Sequence, residues 1–197
     1  MSDVIDILAG ITAGSALDTA RDNRPEARKH AQASYDALFK PKEFGGVSAI
    51  ERCAVAAFVA GLHGRPETRD YYDARLAEAG ASKGLIAAVK SELAVARTRG
   101  PYGNYPKGPL TQENAAGPLY RVGADERAAL GPRLTAAFHH THMLVFHPRD
   151  AAPPSLQELL DAGWSATDIV VLSQLVSFLS YQIRVVAGLR VLKARPA

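Results

Sequence analysis

Two distant stretches of this chain share one pattern: LAEAGASKGLIAAV at 76–89 and LLDAGWSATDIVVL at 159–172. Each runs Leu, an acid, Ala-Gly, one residue, Ser, three residues and two apolar positions. The chemistry of that order is restrictive. Glycine closes a helix because it reaches the left-handed conformation, and a serine two residues later caps the helix that follows. Each stretch is therefore a helix–turn–helix, and a chain built on two of them is all-α, made of antiparallel helical hairpins. GVSAIE at 46–51 echoes the same helix start. Any hairpin with a Gly stop and a Ser cap looks alike, but the ungapped agreement favours an internal repeat.

The rest of the chain divides around these hairpins. Ser2 is placed to cap a short helix over residues 3–11, with Asp3 and Asp6 near its positive end. Pro25 stands at a first helical position, and a helix is expected to Phe39. Ser48 to Glu51 is a capping box opening an apolar helix to about Leu62. Helices over 67–78 and 82–98 follow. The segment GPYGNYPKGPLTQENAAGP, 100–118, excludes helix and central strand by its Gly and Pro content. Its length marks it as functional or as an arm that packs on a partner chain. Asp125 opens a helix to about Phe146, which Pro132 interrupts or restarts. Ser165 and Asp168 form another capping box before a long helix to about Leu192. We read one domain over 1–197: a helical extension (1–45), a first repeat (46–98), the arm (99–124) and a second repeat (125–192).

Charge excludes some partners. Basic residues number 23 and acidic ones 20, and the basic ones are scattered singly. That leaves no nucleic-acid stripe and no polybasic membrane patch. The apolar run from Ile169 to Leu192 is broken by Ser173, Gln174, Ser177, Ser180, Gln182, Arg184 and Arg190, so a buried helix is expected, not a membrane span. The N-terminal stretch carries acids and no Lys or Arg before its apolar residues, which argues against a signal peptide. The one cysteine, Cys53, permits no intrachain disulfide and no cysteine zinc site, and a cytoplasmic location is expected.

GVSAIERCAVAAFVAGLHG, RPETRDYYDARLAEAGASKGLIAAV and HPRDAAPPSLQELLDAGWSATDIVVLSQLVSFLSYQIRVVAGL resemble the alkylhydroperoxidase D-like superfamily, also called the carboxymuconolactone decarboxylase family, in its peroxidase-related branch. The resemblance covers roughly 47–98 and 133–192. It implies the family's all-helical fold and a homo-oligomer, a dimer, trimer or hexamer. It also implies an antioxidant or peroxidase-related role. Redox members carry a Glu, then twelve residues on Cys-x-x-Cys, then a His four residues later. One thiolate attacks the peroxide, the second resolves the sulfenic acid, and Glu and His relay protons. In the branch's register this chain has Cys53 at the Glu position, Arg65 and Thr68 at the cysteines and Tyr72 at the His. Starting from Glu51 gives His63, Pro66 and Asp70. Neither register preserves the two-cysteine chemistry.

Several residues stand as candidates. Cys53 lies one turn into a helix beside Arg52, a setting that activates a thiol; free Cys is among the most buried residue types, and a small buried hydrophobe is the reading we favour. His63, Arg65, Arg69, Tyr71 and Tyr72 gather where helices meet, and His63 as base and Tyr72 as donor would serve an anion or carbonyl compound. A solvated turn is the plainer alternative. Arg184, near Ser177, Ser180 and Tyr181, has the best sequence claim to a buried charge and needs an acceptor or ligand anion. His139, His140, His142 and His147 crowd one stretch, but no acid lies between them and the spacing is not a metalloprotease pair. No metal and no cofactor is expected. Trp164 reads as a packing anchor.

Three functions follow: peroxide reduction without the cysteine pair, which needs an accessible Cys53; acid–base chemistry on a small carbonyl or lactone compound, which needs a pocket; and a silent oligomeric scaffold.

Overall fold

In the computed structural model, which describes residues 3–194, the chain is all-α. Nine α-helices occur among the described residues: α1 (Val4–Ala9), α2 (Ala16–Asp22), α3 (Pro25–Phe39), α4 (Ala49–Leu62), α5 (Pro66–Glu78), α6 (Lys83–Ala96), α7 (Ala124–Phe146), α8 (Pro153–Asp161) and α9 (Ala166–Lys193). No strand is present among them beyond an isolated bridge between Gly103 and Ala115.

Helix α4 is the axis. Its capping box forms as expected, with Ser48 accepting from the Glu51 N–H and Glu51 reaching back to the Ser48 N–H. Ala54, Ala56, Ala57, Phe58, Val59 and Ala60 are completely buried. Small side chains let α5, α6, α7 and α9 all pack against this one helix. Phe58 stacks on Phe138 of α7 with ring centroids 4.1 Å apart and planes within 7°. Burying such a ring contributes roughly 1.5–3 kcal/mol. Gly61 lets α6 approach closely: a Cβ there would stand 2.4 Å from the Leu93 side chain, which would have to shift.

The two hairpins turn alike. Gly80 (φ 86) and Gly163 (φ 90) are both left-handed. The Gly80 N–H donates to Ala77 O and the Ala81 N–H to Leu76 O; correspondingly, Gly163 donates to Leu160 O and Trp164 to Leu159 O. Ser82 and Ser165 then cap α6 and α9.

The structure adds three details at the N-terminal end. The cap of α1 is Asp3, boxed with Asp6, while the expected cap, Ser2, lies outside the described residues. The 1–45 helical extension supplies part of the core: Val4, Ile5, Leu8, Tyr35 and Leu38 are buried in it. Helix α2 was not foreseen. None of its residues is buried. It is held by charge, since Arg21 and Arg28 bridge Asp3, Asp6, Asp18 and Asp22 across α1, α2 and α3. Such a network has no apolar period to betray it.

Helix α9 is long and apolar enough to cross a membrane, but half of its most apolar window is buried inside this fold, against α1, α3, α4 and α7. Its last turn reaches back to the start of the chain: Arg190 donates to Leu8 O and Lys193 to Gly10 O. The arm packs on its own chain, where Tyr102 donates its N–H to Phe146 O and Gly103 exchanges bonds with Ala115.

Candidate functional site

Helix α7 kinks at Gly131 (φ 69), just before Pro132, and its second half then runs through the core. Residues 136–143 are all buried, so His139, His140 and His142 lie inside the protein. His147 ends the helix and is 7% exposed. The arm at Gly117–Arg121 and helix α8 close over them, leaving a pocket of about 270 Å³.

Hydrogen bonds fix what each imidazole offers. His139 Nε2 accepts the Val122 N–H at 2.9 Å, so Nδ1 carries the proton and donates to Glu158 at 2.5 Å. Both nitrogens are committed, and His139 pins arm to helix. His142 Nε2 donates to Ala96 O at 3.0 Å, which makes Nδ1 its lone pair. The Tyr120 ring stacks on His142, centroids 4.8 Å apart. The Tyr120 hydroxyl donates to Glu92, a carboxylate 1% exposed that also accepts the Gly123 N–H at 2.8 Å. Burial, with Glu92 adding to it, holds the Tyr120 hydroxyl well above its usual range.

The remaining two histidines are incompletely paired. His140 Nε2 meets Ser173 Oγ at 3.1 Å, and its Nδ1 is buried without a partner. His147 Nδ1 lies 3.5 Å from Asp150 Oδ2, and its Nε2 is buried without a partner. Burial lowers the pKa of all four, that of His142 to about 4, so they are neutral near pH 7. The His147 ring, with a carboxylate on one nitrogen and an unpaired lone pair on the other, has the arrangement of a general base. No cluster of three or more His, Cys, Asp or Glu able to hold a metal ion occurs among the described residues.

The residues favoured by sequence lie elsewhere. Cys53 is 7% exposed in the core, and burial pushes its thiol up to about 11, opposite to the activation expected of a helix start. Tyr72 is fully buried and donates to Gln182 at 2.6 Å, so it faces no cavity. His63 caps α4 with Nε2 3.3 Å from Ser180 Oγ; burial, then Arg184 and Arg65, lower it to about 4. Arg65 is exposed beside a second cleft. Arg184 is exposed and donates to Ser180 O one turn back. The buried guanidinium is Arg52, which donates to Val47, Leu38 and Phe44 carbonyls and ties the α3–α4 loop. Trp164 is a packing anchor, 2% exposed, bonded to Arg133 O and covered by that guanidinium.

Sequence reasoning noticed the histidines and set them aside because no acid lay between them. Glu158 and Asp150 arrive from beyond the stretch, on α8 and on the turn leading to it. No known family model, no curated protein and no solved structure matches the chain.

Proposed function

We propose that this protein is a non-redox enzyme on the alkylhydroperoxidase D-like scaffold, using acid–base chemistry on a small carbonyl or lactone compound in the histidine pocket. One observation carries it: His147 lines the pocket with its Nε2 buried and without a partner, while Asp150 stands 3.5 Å from Nδ1. On a lactone, Nε2 takes a proton from water as the hydroxyl oxygen adds to the carbonyl carbon. Asp150 stabilises the imidazolium. The ring C–O bond breaks, and the proton passes to the departing oxygen. The pocket's volume, about 270 Å³, suits a molecule of a few ring atoms. The antioxidant alternative would need a reachable thiolate, and Cys53 is buried with a raised pKa.

We place the protein in the cytoplasm as a homo-oligomer, in keeping with the family resemblance. Val170, Tyr181 and Val191 on the outer face of α9 are each about half exposed and support an association of copies.

The test is hydrolysis of a small panel of aryl esters and lactones by wild type, His147→Gln, Asp150→Asn and Cys53→Ser. Turnover is expected to fall about 10²–10⁴-fold in His147→Gln, less in Asp150→Asn, and not at all in Cys53→Ser. Turnover that survives His147→Gln, or none on the whole panel, would overturn the assignment. Peroxide consumption lost in Cys53→Ser would restore a thiol enzyme.

A further inference from the structure

A second cleft, of about 840 Å³, lies between the α4–α5 turn, the outer half of α6 and the start of the arm. Arg65, Arg69, Lys90, Arg97 and Arg99 all line it, and no carboxylate does. This concentration is local, because the chain as a whole carries only +3.

The state of these arginines sets them apart. Of the fifteen described arginines, Arg24, Arg65, Arg97 and Arg99 alone have side chains with no acceptor among the described residues. The other eleven donate to a carboxylate or a carbonyl, as Arg21, Arg28, Arg52, Arg133 and Arg190 illustrate. Three of these four line one cleft. Arg69 lies there too, with its guanidinium anchored to Asp70 at 2.8 Å.

The cleft is also sterically prepared. Gly64, at φ 65, closes α4, and a Cβ on it would stand 3.0 Å from the Arg97 guanidinium. The bare backbone leaves room for the Arg97 guanidinium at this turn. Leu93 and Tyr102 supply an apolar wall. Planar guanidiniums clustered without counter-ions match the geometry of phosphate and carboxylate oxygens. The volume is that of a small-molecule site, not of a groove following a polymer.

We infer that this cleft binds a small organic molecule bearing two or more phosphate or carboxylate groups, gripped by Arg65, Arg97 and Arg99 with its carbon skeleton against Leu93 and Tyr102. The site shares no residue with the histidine pocket and stands or falls separately from it.

Isothermal titration of the full chain with pyrophosphate and with citrate tests this, at low and at physiological salt. Saturable binding at one site is expected, and the tighter of the two probes identifies phosphate or carboxylate as the preferred group. The double variant Arg65→Gln/Arg97→Gln should weaken binding by roughly tenfold or more. Arg99→Gln should weaken it less, and Arg24→Gln, the unpaired arginine outside the cleft, should leave it unchanged. All three variants should have a thermal midpoint within about 2 °C of wild type. Absence of saturable binding by both probes would overturn the inference, as would equal weakening in Arg24→Gln. Tighter binding of a short single-stranded oligonucleotide through the same arginines would overturn the small-molecule assignment.

Discussion

The α5–α6 and α8–α9 hairpins turn their corners with the same bonds and set opposite chemistry beside them. Around the first, Arg65, Arg69, Lys90 and Arg97 line an open cleft. Beside the second, Glu158 of α8 meets His139, and all four histidines of the pocket lose their charge by burial. The turn depends only on a left-handed glycine and a capping serine. The positions facing away from the turn are free to differ, and they decide what each hairpin can hold. One end of the molecule presents positive charge in an open cleft, and the other buries neutral imidazoles.

The largest expected difference is in acid. The folded pKa of His142 is about 4, below that of an exposed imidazole. Between these values the unfolded chain binds the proton and the folded chain does not, so stability falls as pH falls from about 6.5 toward 4. His142→Gln keeps a donor for Ala96 O but cannot titrate. Denaturant unfolding at pH 7 and at pH 4.5 should therefore show the variant losing roughly 2–3 kcal/mol less than wild type. Parallel losses would mean that His142 is solvated and the pocket open.

A smaller effect tests the likeness of the turns. Gly80→Ala and Gly163→Ala each force a side chain into the left-handed region, at about 1–2 kcal/mol. No atom crowds either position. The two costs, measured by urea unfolding, should agree within about 0.5 kcal/mol. A wide gap would mean that one turn is supported by contacts the other lacks.

The smallest effect belongs to the cleft. Neutralising Arg65 and Arg97 together relieves like-charge repulsion. It should raise stability by no more than about 0.5 kcal/mol at low salt, and not at all at high salt. A clear loss of stability would show that these arginines hold the fold together.

Much of this architecture is legible in the chain. Pro25, Ser48, Ser82, Ser165, Gly80 and Gly163 mark helix ends that fall within a residue or two of those observed, because caps act over three or four residues. Helix α2 was hidden, since it rests on ion pairs with partners 6 to 18 residues away. The site was half visible. The four histidines stand out at once, but a lone pair is free or committed according to groups brought in by the arm, α6 and α8. Arg184 and Arg52 show the same limit. Both sit in apolar helical surroundings by sequence, and only the carbonyls of Phe44 and Val47 in the α3–α4 loop, with that of Leu38 at the end of α3, decide which one is buried.

The clasp between α9 and α1 has a consequence for the order of synthesis. The carbonyls of Leu8 and Gly10 are bonded by Arg190 and Lys193, some 180 residues later. On the ribosome, the apolar face of Val4, Ile5 and Leu8 emerges well before α9, the helix it packs against. A nascent chain stalled before α9 should expose that face to chaperones and proteases, and synthesis of α9 should bury it.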